Sequence, residues 1–400
     1  MPFCEVPRSR RIWTKSSAAV PDMMKRDCIA FLAISQAHQY LHWLPAALRL
    51  AQEDDVEVTV LGSSCEGLDF IRSYDPQGTL RLRRLVTPPF SSAGLFTSPS
   101  RFLTLLLNQH ILRNYPVIVT TETSSGLNKR FPGFRSRLVL LKHGAGDREG
   151  SYNHKHALFD LILTNGEKHR SELIARGLAN ENRCVVAGNA KMELVGPPAN
   201  VFGSSKPVAL YNPHFDRKLS SWFGHARQIV EEMERIGEWN FVVAPHVKLR
   251  GGPDVQSESP NVLIDRGSPR SIDMTYTQAA NVYIGDVSSQ VYEYVLRPRP
   301  CIFLNLDKTD WRGNPAYAHW HLGQVIEDVA ELGPALARAE QCQAAYAERQ
   351  RAMTLFSIDS TSEPASERQA RTILEFARLG RVFSEVDTGR SGIREDEQPS

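Results

Sequence analysis

What this chain lacks removes several large classes at once. Its six cysteines (Cys4, Cys28, Cys65, Cys184, Cys301 and Cys342) are scattered, with no Cys-x-x-Cys pair. That spacing offers neither a zinc-ribbon ligand set nor a disulfide framework. Cys28, Cys184 and Cys301 lie in or beside strand-like runs, as small buried thiols of a reducing compartment do. No stretch approaches the ~20 apolar residues of a membrane span. Charge of one sign is also missing. With 47 Lys and Arg against 45 Asp and Glu the net charge is +2, which gives no electrostatic case for nucleic acid. No Walker Lys-Ser/Thr follows a Gly-x-Gly turn. No internal repeat is visible, and no group of histidines and carboxylates has catalytic-metal spacing, so neither a metal nor a cofactor is expected.

What remains is an ordinary globular composition, 42% hydrophobic and 23% charged, over a length that suggests two or three domains at ~150 residues each. Residues 1–27 are basic, with Arg8, Arg10, Arg11, Lys15, Lys25 and Arg26 near Trp13. They read as an unstructured tail, or as an over-long start ahead of Met23 or Met24. The other reading is contact with an anionic membrane surface. From residue 28 short apolar runs alternate with helical patterns. Strands are expected at 28–34, 56–61, 79–86, 116–120, 138–141, 159–164 and 183–187. Residues 195–206 are rich in Gly, Pro, Ser and Asn and read as a linker. A second series follows, with strands at 208–211, 241–244, 261–265, 282–285 and 301–306. Helices are expected at 219–236, 272–279, 289–296 and 365–383, and over 330–352 with an interruption near Gly333-Pro334. The polar residues 386–400 read as a tail without fixed structure.

Continuous apolar strands alternating with helices indicate α/β folding on parallel sheets with helices on both faces. The expected architecture is two doubly wound, Rossmann-like domains, 28–194 and 207–385, facing across a cleft. Ligands in such sheets bind beyond the carboxyl ends of the strands, so chemistry belongs in the turns that follow them. Four turns place reactive side chains there. His143 and Gly144 follow the strand ending at 141, with Gly146, Asp147 and Arg148 beyond. Asn212, Pro213 and His214 follow 208–211, and His246 follows 241–244. Asp286, Ser288 and Ser289 follow 282–285 and open a short helix pattern that contains Glu293. A neutral imidazole can take a proton from a hydroxyl near neutral pH. Hydroxyls and free N–H groups at a helix start suit a phosphate, although the same residues serve equally as helix caps. Gly188-Asn189 after 183–187 reads as a strand end entering the linker. His38 and His42, four apart, and the pairs His154/His156 and His319/His321 read as structural or surface residues.

Together these stretches resemble the CDP-glycerol glycerophosphotransferases, the teichoic-acid polymerase and primase family of GT-B architecture. The resemblance rests on His143-Gly144, on Gly188 through Glu193, on Tyr211-Asn212-Pro213 with Asp216, and on Pro245-His246. It rests most on Asp286-Val287-Ser288-Ser289-Gln290-Val291-Tyr292-Glu293-Tyr294 leading to Arg299-Pro300. It covers roughly 138–310, and it implies transfer of glycerol phosphate from CDP-glycerol to an acceptor hydroxyl with release of CMP. His143 then corresponds to the general base and His246 to a second essential histidine near the donor phosphates. Asp286, Ser288, Ser289 and Gly144 correspond to the phosphate and glycerol region, and Asn212, Pro213, His214, Gly188, Asn189 and Glu293 to the cleft lining. Implied partners are the nucleotide-activated donor and a glycan or lipid-linked acceptor, in the cytoplasm or at the inner face of the membrane. The chain departs from the family pattern after His143-Gly144, where Ala145-Gly146-Asp147-Arg148 replaces Thr-Pro-Leu-Lys, and at Glu193 and Glu293, where Asp is usual. Proline also precedes His246 instead of following it. Two other readings stand beside this one: an enzyme like the UDP-N-acetylglucosamine 2-epimerases or a GT-B glycosyltransferase using a UDP-sugar, and an inactive GT-B-like binding protein. Ser288-Ser289 stand where the epimerases carry two glycines.

Overall fold

The computed structural model describes residues 26–89, 94–144, 146 and 152–382. The basic segment up to Lys25, the tail from 386, and Asp147 and Arg148 lie outside them. Seven parallel strands form the first sheet: β1 (Asp27–Ala33), β2 (Val56–Gly62), β3 (Arg81–Arg84), β4 (Val117–Thr120), β5 (Arg137–Leu141), β6 (Leu161–Thr164) and β7 (Cys184–Val186). Their order is β3-β2-β1-β4-β5-β6-β7. The second sheet has six parallel strands: β8 (Val208–Asn212), β9 (Asn240–Val243), β10 (Val262–Ile264), β11 (Val282–Gly285), β12 (Cys301–Leu304) and β13 (Gln324–Ile326). Its order is β10-β9-β8-β11-β12-β13.

Helices cover both faces of each sheet, which is why Ile29 to Phe31, Val117 to Val119 and Phe241 to Val243 are almost wholly excluded from water. The helix Trp222–Arg235 shows how one is held. Trp222, Ala226, Ile229, Val230 and Met233 recur at helical spacing and bury one stripe against the second sheet.

Four features differ from the sequence expectation. β13 was not foreseen, since Gln324-Val325-Ile326 is too short to show a period; it is a strand because β12 offers it a paired edge. The helical pattern after β1 divides into Ala37–Tyr40 and Leu44–Leu50, with Pro45 in the first turn of the second piece. The closing helical region breaks at Arg338, between Leu332–Ala337 and Ala339–Ser357, and not at Gly333-Pro334. Pro334 lies in a first helical turn, where a missing N–H costs nothing. Finally, the helix Ala365–Leu379, expected with the second domain, returns to the first. Ala370, Ile373 and Phe376 bury their side chains in the core beneath β1 and the helix Leu44–Leu50. The chain therefore crosses between domains twice.

Candidate active site

Strand order reverses between β1 and β4 in the first sheet and between β8 and β11 in the second. Turns leave a crevice at such a switch point, and the two crevices face each other here. The cavity between them is lined from the first domain by His38, His42, His143, Gly144 and Lys191. From the second come Asn212, Phe215, the turn 245–248, Ser288, Ser289, Gln290 and Glu293.

His143 follows β5. Its Nδ1 lies 3.1 Å from the carbonyl oxygen of Thr121, the residue that follows β4. A carbonyl only accepts, so Nδ1 carries the proton and Nε2 is left with a free lone pair. Burial holds the imidazole well below its ordinary pKa, and nearby His42, Lys248 and Lys142 add to this, against the opposing bond to Thr121. His143 is therefore neutral at physiological pH. Thr121 is itself fixed, its hydroxyl donating to Gln39 Oε1 at 3.1 Å.

His246 has the opposite tautomer. Its Nδ1 accepts from the backbone N–H of Lys248 at 3.1 Å, so a neutral ring carries its proton on Nε2 as a donor. Its own backbone N–H donates to Pro213 O at 3.1 Å. Rings crowd it: Phe215 at 4.8 Å, His38 at 5.7 Å and His214 at 6.1 Å between centroids. Lys248 Nζ sits 5.6 Å from the Phe215 ring centroid.

The turn after β11 is held from below. Asn212 donates to Ala244 O at 2.6 Å and accepts from Ser288 Oγ at 3.4 Å. Ser288 Oγ in turn accepts from Gln290 N at 3.3 Å. Ser289 faces the first domain. A Cβ on Gly144, whose φ is +68°, would lie 3.2 Å from Ser289 Oγ, so glycine is needed there for both conformation and approach. One buried ion pair crosses the cleft: Lys191 Nζ to Glu293 Oε2 at 2.7 Å, with the two side chains 7% and 5% exposed. Asn189 joins that pair to the histidines. Its Oδ1 accepts both from Lys191 N and from His42 Nδ1, each at 3.2 Å.

Several expected residues stand elsewhere. Asp286 does not face this cavity. It is buried behind it, where Oδ2 accepts from the backbone N–H groups of His214 at 3.0 Å and Ser221 at 3.1 Å. Burial pushes its pKa up to about 6 against the pull of those bonds. It therefore fixes the His214 turn, and the helix Gln290–Tyr294 that follows has only five residues. Pro213, His214 and Gly188 support the lining without forming it. Gly188, at φ +76°, carries a carbonyl that accepts from Gln369 at 2.9 Å. His156 and His319 are structural, the first in a capping turn with Asn153 and the second bonded to Asp286 O at 3.1 Å.

His38, His42 and Lys248 line the cavity, although sequence reasoning gave them no place in it. The two histidines follow β1 at the switch point, so the rule that singled out His143 applies to them too. Their helical i, i+4 spacing drew attention to metal instead. Among the described residues, no group of three or more His, Cys, Asp or Glu is arranged to hold a metal ion.

Part of this cavity lies on a segment that matches a known family. Residues 205–375 match the CDP-Glycerol:Poly(glycerophosphate) glycerophosphotransferase family. The glycerophosphotransferase match thus contains His246, Ser288, Ser289 and Glu293, whereas His143 and Lys191 belong to the domain before it. No curated protein matches the chain in sequence. Among solved structures, the wall teichoic acid polymerase TagF has 13% identity and a TM-score of 0.58 over 88% of this chain and 89% of that one. A TagF variant soaked with CDPG gives 14% and 0.57, over 88% of each chain. The S. aureus MnaA–UDP structure gives 14% and 0.60, over 88% of this chain and 96% of that one. At these identities the likeness is one of fold, and the fold is GT-B.

Proposed function

We propose that this glycerophosphotransferase-family chain moves glycerol phosphate, or a related polyol phosphate, from a CDP-activated donor to an acceptor hydroxyl in cell-envelope polymer or glycan synthesis. The observation that carries the reading is the pairing of opposite tautomers across one cavity: a proton acceptor at His143 Nε2 and a donor at His246 Nε2. In this reading His143 takes the proton from the acceptor hydroxyl as its oxygen attacks the glycerol-bearing phosphorus. The bond from that phosphorus to the bridging oxygen breaks, and CMP leaves with the electron pair. His246 and Lys248 face the charge that grows on the departing phosphate, and Ser288 and Ser289 hold the transferring group. Phosphoryl transfer asks chiefly for positioning and charge stabilisation, and this lining supplies both.

The acceptor is a glycan or a lipid-linked chain, and the enzyme works in the cytoplasm or at the inner face of the membrane. No helix among the described residues is long and apolar enough to cross one. The test is release of labelled CMP, with transfer of the polyol phosphate, on mixing the chain with CDP-glycerol and acceptor. Turnover of a UDP-sugar without CMP release from CDP-glycerol overturns the reading in favour of epimerase or glycosyltransferase chemistry.

A further inference from the structure

Resting on the transferase reading, we propose that His38 is a further donor-binding residue, which reaches from the first domain to the nucleotide-side phosphate of the donor beside His246 and Lys248. His38 lies in the short helix Ala37–Tyr40 just past β1 and lines the cavity. The backbone around it is pinned. Ala37 N donates to Leu95 O at 3.0 Å, Gln39 accepts from the Thr121 hydroxyl at 3.1 Å, and the Tyr40 hydroxyl donates to Ser35 O at 2.5 Å. The His38 ring, by contrast, has a buried Nδ1 with no hydrogen-bond partner among the described residues. The other three histidines that line the cavity are committed at Nδ1: His42 to Asn189, His143 to Thr121 O and His246 to Lys248 N. A structural histidine is kept by its hydrogen bonds, and a buried nitrogen without one costs stability. A rigidly placed side chain with an unmet bond is what a preorganised ligand site requires.

The surroundings select an anion. The ring stands edge-on to His246, at 5.7 Å between centroids and 76° between planes. The charges that act on His38 come from His246 and Lys248 across the cleft and from His143 and His42 on its own side, and all four are basic. Glu293, the one acid lining the cavity among the described residues, is engaged by Lys191 at 2.7 Å. Glu122, behind the histidines, is buried and paired with Arg101 at 2.6 Å. A neutral ligand would leave this wall uncompensated, whereas a diphosphate complements it.

Burial, reinforced by those four neighbours, holds His38 well below its ordinary pKa, so the ring is neutral at physiological pH. Negative charge arriving within a few ångströms favours the imidazolium. His38 then takes a proton from solvent and donates a charge-assisted hydrogen bond to the phosphate. The second domain supplies His246, Lys248, Ser288 and Ser289, so His38 makes donor binding a contact of both domains. Donor binding consumes protons, and donor affinity therefore falls as pH rises.

Titration calorimetry on the full chain compares CDP-glycerol with cytidine, in two buffers of different ionisation enthalpy. The diphosphate of CDP-glycerol holds no titrating proton near neutrality, so protons taken up on binding enter the protein. Wild type should take up protons with CDP-glycerol and not with cytidine. His38→Ala should bind CDP-glycerol about tenfold more weakly, take up fewer protons, and bind cytidine as wild type does. His38→Gln, which keeps a neutral donor, should recover part of the affinity but not the proton uptake. Both variants should keep the wild-type melting temperature, because no described bond is lost. Wild-type affinity for CDP-glycerol in both variants overturns the assignment and leaves the transferase reading in place. So does an equal loss of cytidine binding, which marks a structural role, or unchanged proton uptake. If wild type binds a UDP-sugar and not CDP-glycerol, and His38→Ala weakens that binding about tenfold, the phosphate site stands and the transferase reading falls.

Discussion

Replacing Lys191 by methionine should cost this protein about 3–5 kcal/mol. The figure follows from where the Lys191–Glu293 pair sits. Both side chains are at least nine-tenths buried, they touch at 2.7 Å, and they belong to different domains. Two such charges at a surface are worth ~0–1 kcal/mol. Buried, the pair roughly balances its desolvation, but removing one partner strands the other in a medium that cannot solvate it, at ~3–5 kcal/mol. Glu293→Gln should therefore cost a similar amount, because it leaves the ammonium without its counter-charge. The double variant Lys191→Met/Glu293→Leu removes both charges and should lie within about 1–2 kcal/mol of wild type. Urea unfolding followed by tryptophan fluorescence reads all four corners of the cycle, with a coupling energy of several kcal/mol expected. Single variants that each shift stability by under ~1 kcal/mol, with no coupling, would show the pair to be open to water and the argument wrong. Activity separates the remaining roles. If Lys191 only sets the domain spacing, the double variant recovers kcat along with stability; if it touches donor phosphate, stability returns and the KM for donor stays high.

His143→Ala should abolish CMP release while leaving the melting temperature almost unchanged, since the ring is half-buried and its one described bond is to a carbonyl; residual transfer in that variant removes the base assignment. Gly144→Ala should lower kcat/KM at least tenfold at a stability cost of about 1–2 kcal/mol for the positive φ, because its methyl would press Ser289 Oγ. Gly188→Ala should cost more in stability, since its Cβ would meet Ala365 Cβ at 2.9 Å and Asp359 O at 3.1 Å where the last helix joins the first domain; calorimetry of the two variants checks the order. Acid should destabilise the fold through its buried histidines: burial puts His156 at about 4 against an unfolded 6.5, so the unfolded chain binds the extra proton as pH falls below 6.5. His156→Gln should flatten the loss by about 1.4 kcal/mol per pH unit between 6.5 and 4, measured as the difference between variant and wild-type stability curves.

All seven strands of the first sheet and five of the six in the second could be read from the chain alone. Apart from the edge strand β3, Arg81–Arg84, which is charged and largely exposed, each is a run such as Ile29 to Phe31 or Val282 to Ile284, apolar on both faces, and burial on both faces leaves a local signature. The same local rule, that reactive groups stand just past strand ends, found His143, His246, Ser288 and Ser289, because position along a strand is a property of nearest neighbours. What the sequence could not supply was direction and partnership. Asp286 stands two residues from Ser288 and looked equivalent to it; only tertiary packing shows it turned away to accept two backbone N–H groups. His38 and His42 are 105 and 101 residues from His143 in the chain. They line the same cavity because β1, β4 and β5 are neighbours in a sheet whose order differs from that of the sequence. The bond that fixes the His143 tautomer, the ion pair from Lys191 to Glu293 and the return of the last helix to the first domain are likewise contacts between distant segments. Local composition decides which segments become strands and which turns carry chemistry; which turns meet, and what charge each group holds, depends on how two sheets and a crossing helix close around them.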